Sequence, residues 1–299
     1  MSVSSYRFID PRTLLAISDL HLLAKTVVDG FLFGVHQSPQ IGAGLEFSQY
    51  RSYEPGDDLR RVDWKMYARS DRYFVRESEI ESSIAVHFVI DASRSMAHDD
   101  SGLFKFDYAR FLVASLAYLA HGQGDAIGLL ALNDQQPINV LPKAGQSHLH
   151  RFLHELERLA PEGKWPGWQA AERLFSATPR RHIIVVVSDL HEADDEIRTV
   201  LAKLTALKNE VLFFHLLGKN ERNFSYQGLL TFEDLESGET RQVDAKQIRA
   251  GYLEKLDSQI ASMRKALHNQ HIAYNLLTTD QPLDFALRAF LQQRQRRLA

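Results

Sequence analysis

The sequence contains no cysteine among its 299 residues. This absence excludes disulfide bonds, thiolate nucleophiles and thiolate metal ligands, so only oxygen and imidazole groups remain as strong metal ligands. The sequence also lacks a run of about 18 apolar residues, the length that a membrane-spanning helix needs. Its first residues, "MSVSSYRFIDPR", lack the apolar stretch of a secretory signal. We therefore expect a cytoplasmic protein with no direct membrane insertion.

An excess of basic charge is also missing. The chain has 35 Lys and Arg against 38 Asp and Glu, which gives a net charge of −3 and an isoelectric point near 6.5. No overall positive field is therefore present to attract nucleic acid or anionic lipid, and we expect no nucleic-acid partner. Hydrophobic residues at 44% and charged residues at 24% are typical of a folded globular protein.

After residue 84, apolar runs of strand length alternate with helical patterns. The predicted strands are 84–90, 126–132, 182–189, 211–217 and 272–277, and the candidate helices are 104–121, 147–159, 168–177, 194–207, 245–269 and 281–293. Strands without polar alternation are buried on both faces, and connections of helix length favour parallel pairing. The sequence therefore predicts the α/β class, with a doubly wound, mostly parallel sheet.

The part of the chain before residue 82 has a different character. Residues 12–36 carry apolar side chains at helical spacing, whereas residues 40–80 combine turn signals with short aromatic and β-branched runs. We predict an N-terminal helix and β-rich segment over 1–81 and the α/β domain over 82–299. Within the latter, 135–142 is predicted as an antiparallel edge strand and 228–243 as a hairpin insertion.

The stretch "FVIDASRSMAHD" (88–99) turns polar where a predicted strand ends. Asp91, Ser93 and Ser95 alternate, so their oxygen atoms can converge on one point. Asp189 ends another predicted strand, and two carboxylates that meet beyond a sheet repel each other unless a cation lies between them. These four residues are the candidate ligands of a hard cation such as Mg²⁺. The alternative is that they only shape a turn and a helix cap.

These motifs resemble known families. "DASRSM" after a strand, with "SDL" ending a later one, resembles the metal-ion-dependent adhesion site (MIDAS) of von Willebrand factor A domains. The segment "GLEFSQYRSYEPGDDLRRVDWKMYARSDRYFVRESEIE" (44–81) is similar to the signature of the bacterial family called domain of unknown function 58 (DUF58). The resemblance implies a von Willebrand factor A-like fold, Mg²⁺ (with Mn²⁺ or Ca²⁺ as substitutes) held by Asp91, Ser93, Ser95 and Asp189, and a MoxR-type AAA+ ATPase as partner.

One part of the family pattern is missing. The resemblance calls for a threonine ligand before a helix, but the corresponding stretch, "APEGKWPGWQAAERLF" (160–175), has Trp165, Pro166 and Gly167 in that neighbourhood. No hydroxyl stands there, so we expect a weakened, degenerate metal site.

The expected function is a non-catalytic protein–protein interaction module with a Mg²⁺-dependent site, acting in complex assembly or chaperone-like work. We expect no enzymatic activity because no nucleophile and base appear together in a recognisable context. Two alternatives remain open. One is a metal-dependent phosphoesterase or hydrolase that uses Asp91 and Asp189. The other is a metal-free scaffold that binds through the charged block "RSYEPGDDLRRVDWKMYAR" (51–69).

Overall fold

The computed structural model describes residues 10–36, 50–52, 74–76, 84–135, 137–166, 182–190, 196–235 and 238–298. Two sequence predictions lie outside the described residues: the candidate helix at 168–177 and most of the charged block at 51–69.

The chain divides into two compact units, of which one comprises Met1–Phe31 with Ile84–Ala299 and the other comprises Leu32–Ser83. In the smaller unit, strands β1 (Tyr50–Ser52) and β2 (Phe74–Arg76) pair antiparallel. Short strands are what the sequence predicts for 40–80. The predicted domain boundary between residues 81 and 82 stays a prediction.

One six-stranded sheet organises the larger unit. Its strands are β3 (Ala85–Asp91), β6 (Ala126–Leu132), β7 (Ile138–Lys143), β8 (Ile183–Ser188), β9 (Glu210–Leu217) and β12 (Ala273–Thr278). The spatial order is β12-β9-β8-β3-β6-β7, and every pair is parallel except β6 with β7. The chain builds outward from β3 in one direction and then from β8 in the other, which is the doubly wound arrangement. The predicted fold class and the antiparallel edge strand are confirmed.

Two antiparallel pairs lie outside this sheet. The two-residue strands β4 (Asp99–Asp100) and β5 (Leu103–Phe104) pair shortly after β3. Strands β10 (Leu229–Glu233) and β11 (Thr240–Asp244) form a hairpin. This hairpin lies where the sequence predicts an insertion, near 228–243.

The described helices largely follow the predicted spans. They are α1 (Pro11–Leu14), α2 (Leu20–His36), α3 (Lys105–Gly122), α4 (Gln146–Arg158), α5 (Glu196–Ala206), α6 (Lys219–Asn223), α7 (Ala245–Asn269) and α8 (Asp284–Leu298). No helix within the described ranges is both long enough and apolar enough to cross a membrane.

The sheet is buried because apolar side chains cover it. In β8, every residue is buried, and in β3 only Ala85 is partly exposed. Helix α5 packs Ile197, Val200 and Leu201 into the cluster that also contains Val186 and Phe213. Burial of apolar surface stabilises the folded state by about 25 cal/mol per Å². The strand ends at the carboxyl edge therefore belong to a stable sheet.

The predicted single helix over 12–36 is wrong, because the structure divides it into α1 and α2. Helix α2 begins directly after Asp19, whose side-chain Oδ1 accepts the backbone N–H of Leu22 at 3.0 Å and whose carbonyl accepts that of Leu23 at 2.9 Å. An aspartate in this position caps a helix N-terminus. The helical spacing of the apolar residues continues across the break, which is why periodicity alone joins the two helices.

Replacing Asp19 with alanine is expected to lower the free energy of unfolding by about 1 kcal/mol, because an unpaired N–H group is left at the start of α2. Urea denaturation of the two proteins measures the difference. Asp29 is exposed on the same helix, so Asp29→Ala is the matched control and should not destabilise the protein. Equal losses in the two variants would contradict the capping role.

Candidate functional site

The candidate site lies where the strand order reverses, between β3 and β8. Ile90 of β3 is paired with Val187 of β8, so Asp91 and Ser188 come next to each other at the carboxyl edge of the sheet. Ligands bind at such reversal points in open α/β sheets. Asp91 is 2% exposed and Asp189 is 5% exposed. Both predicted carboxylates therefore lie at one place, and both are buried there.

Asp91 is fixed by two hydrogen bonds. Its Oδ1 accepts the backbone N–H of Ser93 at 2.9 Å, and its Oδ2 accepts the hydroxyl of Ser188 at 2.7 Å. Burial, followed by the negative charge of Asp189, raises the pKa of Asp91 to about 7, and the hydrogen bonds from Ser93 and Ser188 offset part of that rise. The carboxyl group therefore holds a proton far more readily than an aspartate in water.

The two predicted serines lie in the same buried network. The hydroxyls of Ser93 and Ser95 are 3.0 Å apart, and Ser95 donates to Oδ1 of Asp189 at 3.2 Å. They flank the start of a short 3-10 helix, Arg94–Ala97. The structure thus brings together the four residues that the sequence selects. Their service as metal ligands stays a prediction.

A lysine that the sequence reasoning missed lies at the centre of the site. Nζ of Lys105 is 2.9 Å from Oδ2 of Asp189 and 3.0 Å from the carboxylate of Glu221. Lys105 is only 2% exposed. Burial by itself lowers the pKa of the Lys105 ammonium, but the charges of Asp189 and Glu221 outweigh it and raise that pKa above its usual range. Lys105 is therefore a permanently charged, buried cation.

A signal for Lys105 exists in the sequence. It opens α3 on the face that continues with Tyr108, Ala109 and Leu112, all buried. A charged residue on an otherwise apolar helix face indicates a buried ion pair, since lysine is almost never buried without a partner. Glu221 offers no such signal, because it lies in the short polar helix α6.

Asp100 explains how Glu221 reaches the site. Oδ2 of Asp100 accepts the backbone N–H of Lys219 at 2.6 Å and also the hydroxyl of Thr279. Oε2 of Glu221 in turn accepts the backbone N–H of Gly218 at 2.6 Å. These bonds hold helix α6 at the end of β9 and direct the carboxylate of Glu221 toward Lys105.

His215 supports the site from the next strand. Its Nε2 lies 3.1 Å from the backbone oxygen of Asp189, and its Nδ1 lies 2.7 Å from the hydroxyl of Tyr274. Burial lowers the pKa of His215 to about 4. The ring is therefore neutral near pH 7, so it adds no positive charge to the site.

A cavity of about 190 Å³ opens onto the charged residues. Its floor includes Ser95, Lys105, Asp189 and Glu221, and aromatic side chains form the walls: Phe224, Tyr226, Phe232 and Tyr252. The wall residues come from the chain after α6, from hairpin strand β10 and from helix α7. The hairpin insertion therefore contributes directly to the site.

Phe224 holds the aromatic wall together. Its ring centroid is 5.2 Å from that of Tyr226, 6.0 Å from Phe232 and 4.8 Å from Tyr252. Phe224 has φ 47° and ψ 57°, in the left-handed region that a bulky residue rarely adopts. Such a conformation persists only where surrounding contacts impose it, and here these ring contacts surround a buried side chain.

The segment that replaces the expected threonine lies directly against residues 91–95, here called the serine loop. The backbone N–H of Arg94 donates to the carbonyl of Gly163 at 2.9 Å, and Glu162 donates to the carbonyl of Ala92 at 2.9 Å. Trp165 is buried next to this contact and is 7% exposed. Trp165 belongs to the apolar core cluster, and residues 161–166 offer no hydroxyl group.

The arrangement does not fit a bound Mg²⁺ ion. Such an ion requires about six oxygen ligands at short distance, but Asp91, Ser93, Ser95 and Asp189 already direct their oxygen atoms into the internal hydrogen bonds given above. Lys105 already provides a positive charge beside Asp189.

Similar solved structures include a membrane protein related to aerotolerance from Bacteroides fragilis, which is 15% identical, with a TM-score of 0.48 over 71% of this chain and 99% of that chain. BatB from Bacteroides thetaiotaomicron is 13% identical, with a TM-score of 0.46 over 72% of this chain and 98% of that one. The von Willebrand factor A domain of SpRpn10 is 15% identical, with a TM-score of 0.40 over 69% and 93%.

Sequence relatives are closer. The uncharacterized protein Rv1480 of Mycobacterium tuberculosis is 30% identical over 236 residues, which cover 78% of this chain and 74% of the mycobacterial protein. Protein Mb1516 of Mycobacterium bovis matches to the same extent. The model of the family described as "Protein of unknown function DUF58" matches residues 49–262, which is well over half of the chain. The chain therefore belongs to the DUF58 family.

Proposed function

We propose that this protein is a non-catalytic protein–protein interaction module and that its partner binds over the aromatic cavity at the carboxyl edge of the sheet. The observation that carries the proposal is the position of this cavity, directly above Lys105 and Asp189, with a wall of one buried and three half-buried aromatic rings. Aromatic side chains around a concave site are typical of the centre of a protein interface. The proposed location is the cytoplasm.

The proposed partner is a MoxR-type AAA+ ATPase. The support for this choice is the resemblance of residues 44–81 to the DUF58 signature, since members of that family are typically encoded beside such ATPases. The DASRSM motif predicts that binding depends on Mg²⁺, whereas the contact of Lys105 with Asp189 favours binding without a metal ion, and the experiment below distinguishes the two.

The enzyme alternative has less support in the geometry. Ser93 is the side chain that could be proposed as a nucleophile, and its hydroxyl lies 3.0 Å from that of Ser95. A nucleophilic serine needs a base within hydrogen-bonding distance, and His215 instead contacts the backbone of Asp189 and the hydroxyl of Tyr274. Hydrolysis of a generic phosphoester that disappears in Asp91→Ala would favour the enzyme.

Replacement of Tyr226 with alanine is expected to weaken the association with a MoxR-type AAA+ ATPase from the same organism by about 10-fold or more, the size typical of an aromatic residue at an interface centre. Calorimetry with the two purified proteins measures the affinity, with and without Mg²⁺. Tyr252→Ala tests the part of the wall that helix α7 provides and should have a similar effect.

Leu207 provides the control. It is 37% exposed and follows α5 at the amino end of β9, at the opposite edge of the sheet. Leu207→Ala should leave the affinity unchanged. Equal affinity for wild type, Tyr226→Ala and Tyr252→Ala would overturn the proposed binding surface. An affinity lost in Asp91→Ala and on removal of Mg²⁺ would support the metal-dependent form of binding.

A further inference from the structure

The site contains a cation that is part of the chain. Lys105 is the first residue of α3, its side chain is 2% exposed, and its ammonium group contacts carboxylates from two other elements. Removing an ammonium group from water is costly unless good partners replace the water. Asp189 and Glu221 are those partners, so this position stabilises a positive charge.

The need for a positive charge follows from the sheet topology. The reversal of strand order brings Asp91 and Asp189 together in a buried place, and two buried carboxylates repel each other unless a cation or a proton intervenes. The ammonium group of Lys105 lies 2.9 Å from Oδ2 of Asp189. A positive charge that relieves the repulsion is therefore present without a metal ion.

The hydrogen bonds agree with this assignment. One carboxylate oxygen of Asp189 accepts from Ser95 and the other accepts from Lys105. The carboxylate of Glu221 accepts from both Lys105 and the backbone of Gly218. A divalent ion at Asp189 would have to displace the ammonium group or lie beside a like charge.

We propose that the ammonium group of Lys105 takes the place of the divalent ion, so that the site works without a bound metal. Asp189 and Glu221 hold the ammonium as a metal ion would be held, and the serine loop is ordered around Asp91 and Asp189 by hydrogen bonds alone. The inference goes beyond the proposed function, because it concerns the state of the site itself and is independent of any partner.

The test titrates Mg²⁺ and Mn²⁺ into the protein alone, after treatment with a chelator. For the wild type we expect no saturable binding by calorimetry at millimolar metal and the same melting temperature with metal or with chelator. Saturable binding by the wild type that disappears in Asp91→Asn would overturn the proposal. Because the partner is absent, failure of the proposed function leaves this result unaffected.

A variant gives the reciprocal result. Lys105→Ala removes the resident charge and leaves Asp91, Asp189 and Glu221 in one place, so added Mn²⁺ is expected to raise its melting temperature. Lys143 is exposed on edge strand β7, and Lys143→Ala should not respond. A folded Lys105→Ala protein that is indifferent to Mn²⁺ would count against the proposal, and if that variant does not fold, the wild-type titration decides.

Discussion

Replacement of Lys105 with methionine is expected to lower the free energy of unfolding by about 3–5 kcal/mol, which is the usual cost of removing one partner from a buried ion pair. Methionine keeps much of the length and apolar volume of the lysine stem, so the loss reports the missing charge rather than a cavity. Without the ammonium group, the side chain of Asp189, which is 1% exposed in the wild type, stays buried and loses its contact with Lys105. Urea denaturation near pH 7 measures the change.

The origin of that loss can be tested with a second substitution. If the cost comes from an uncompensated charge, Asp189→Asn in the Lys105→Met background should restore part of the stability, because the amide carries no charge and still accepts from Ser95. The combined effect should then be clearly smaller than the sum of the single effects, as expected for residues in direct contact. Lys143→Met, at an exposed position, should change the stability little. A loss in Lys105→Met no larger than in Lys143→Met would contradict the buried ion pair.

The sequence predicts the sheet well because its strands are apolar throughout. Runs such as 126–132 and 182–189 have a length and composition that fit only buried strands in an alternating α/β pattern, and the observed strands Ala126–Leu132 and Ile183–Ser188 agree with them. Asp91 ends one of these strands and Asp189 follows a neighbouring one, so the strand order places the two carboxylates together. The apolar pattern predicts the strands, the strands predict the fold class, and the fold class predicts that the two aspartates meet.

The partners of those acids could not be predicted in the same way. Lys105 reaches Asp189 across 84 residues of sequence, and Glu221 reaches Lys105 across 116. Such contacts depend on how α3 packs against the residue that follows β8 and against helix α6, which no periodicity encodes. The break before α2 was missed for the opposite reason: it depends on one capping side chain, Asp19, within a continuous apolar pattern.

The hairpin insertion and the residues that flank it add aromatic side chains to a site that the strand ends define. Tyr226 and Tyr252 have raised pKa values, in both cases first because of burial and then because of the charge of Glu221, so both hydroxyls remain protonated near neutral pH. Tyr226 lies just before the hairpin and Tyr252 lies on the helix that follows it. Placed over Lys105 and Asp189, these side chains give a partner both apolar area and hydrogen-bonding groups.

Asp91 is expected to make the stability of the protein depend on pH. Its pKa is about 7 in the folded state against 3.8 for the unperturbed group, so the folded protein keeps a proton that the unfolded chain has lost. The contribution of the neutral carboxyl group is fully present below about pH 4 and is lost as the pH rises to about 7. The loss is about 4 kcal/mol at about 1.4 kcal/mol per pKa unit.

Asp91→Asn isolates this contribution. The amide oxygen can still accept the backbone N–H of Ser93, and the amide nitrogen can donate to the hydroxyl of Ser188, so the hydrogen bonds are kept without a charge. Urea denaturation of both proteins between about pH 4 and 8 should show the variant gaining stability over wild type as the pH rises, with a plateau above the folded-state pKa.

Asp29→Asn, at an exposed position, should show no such trend. A difference that stays constant with pH would mean that Asp91 ionises as it does in water, which requires a cation close to it. Since Lys105 already holds the cation position beside Asp189, adding Mg²⁺ should leave the pH dependence of the wild type unchanged.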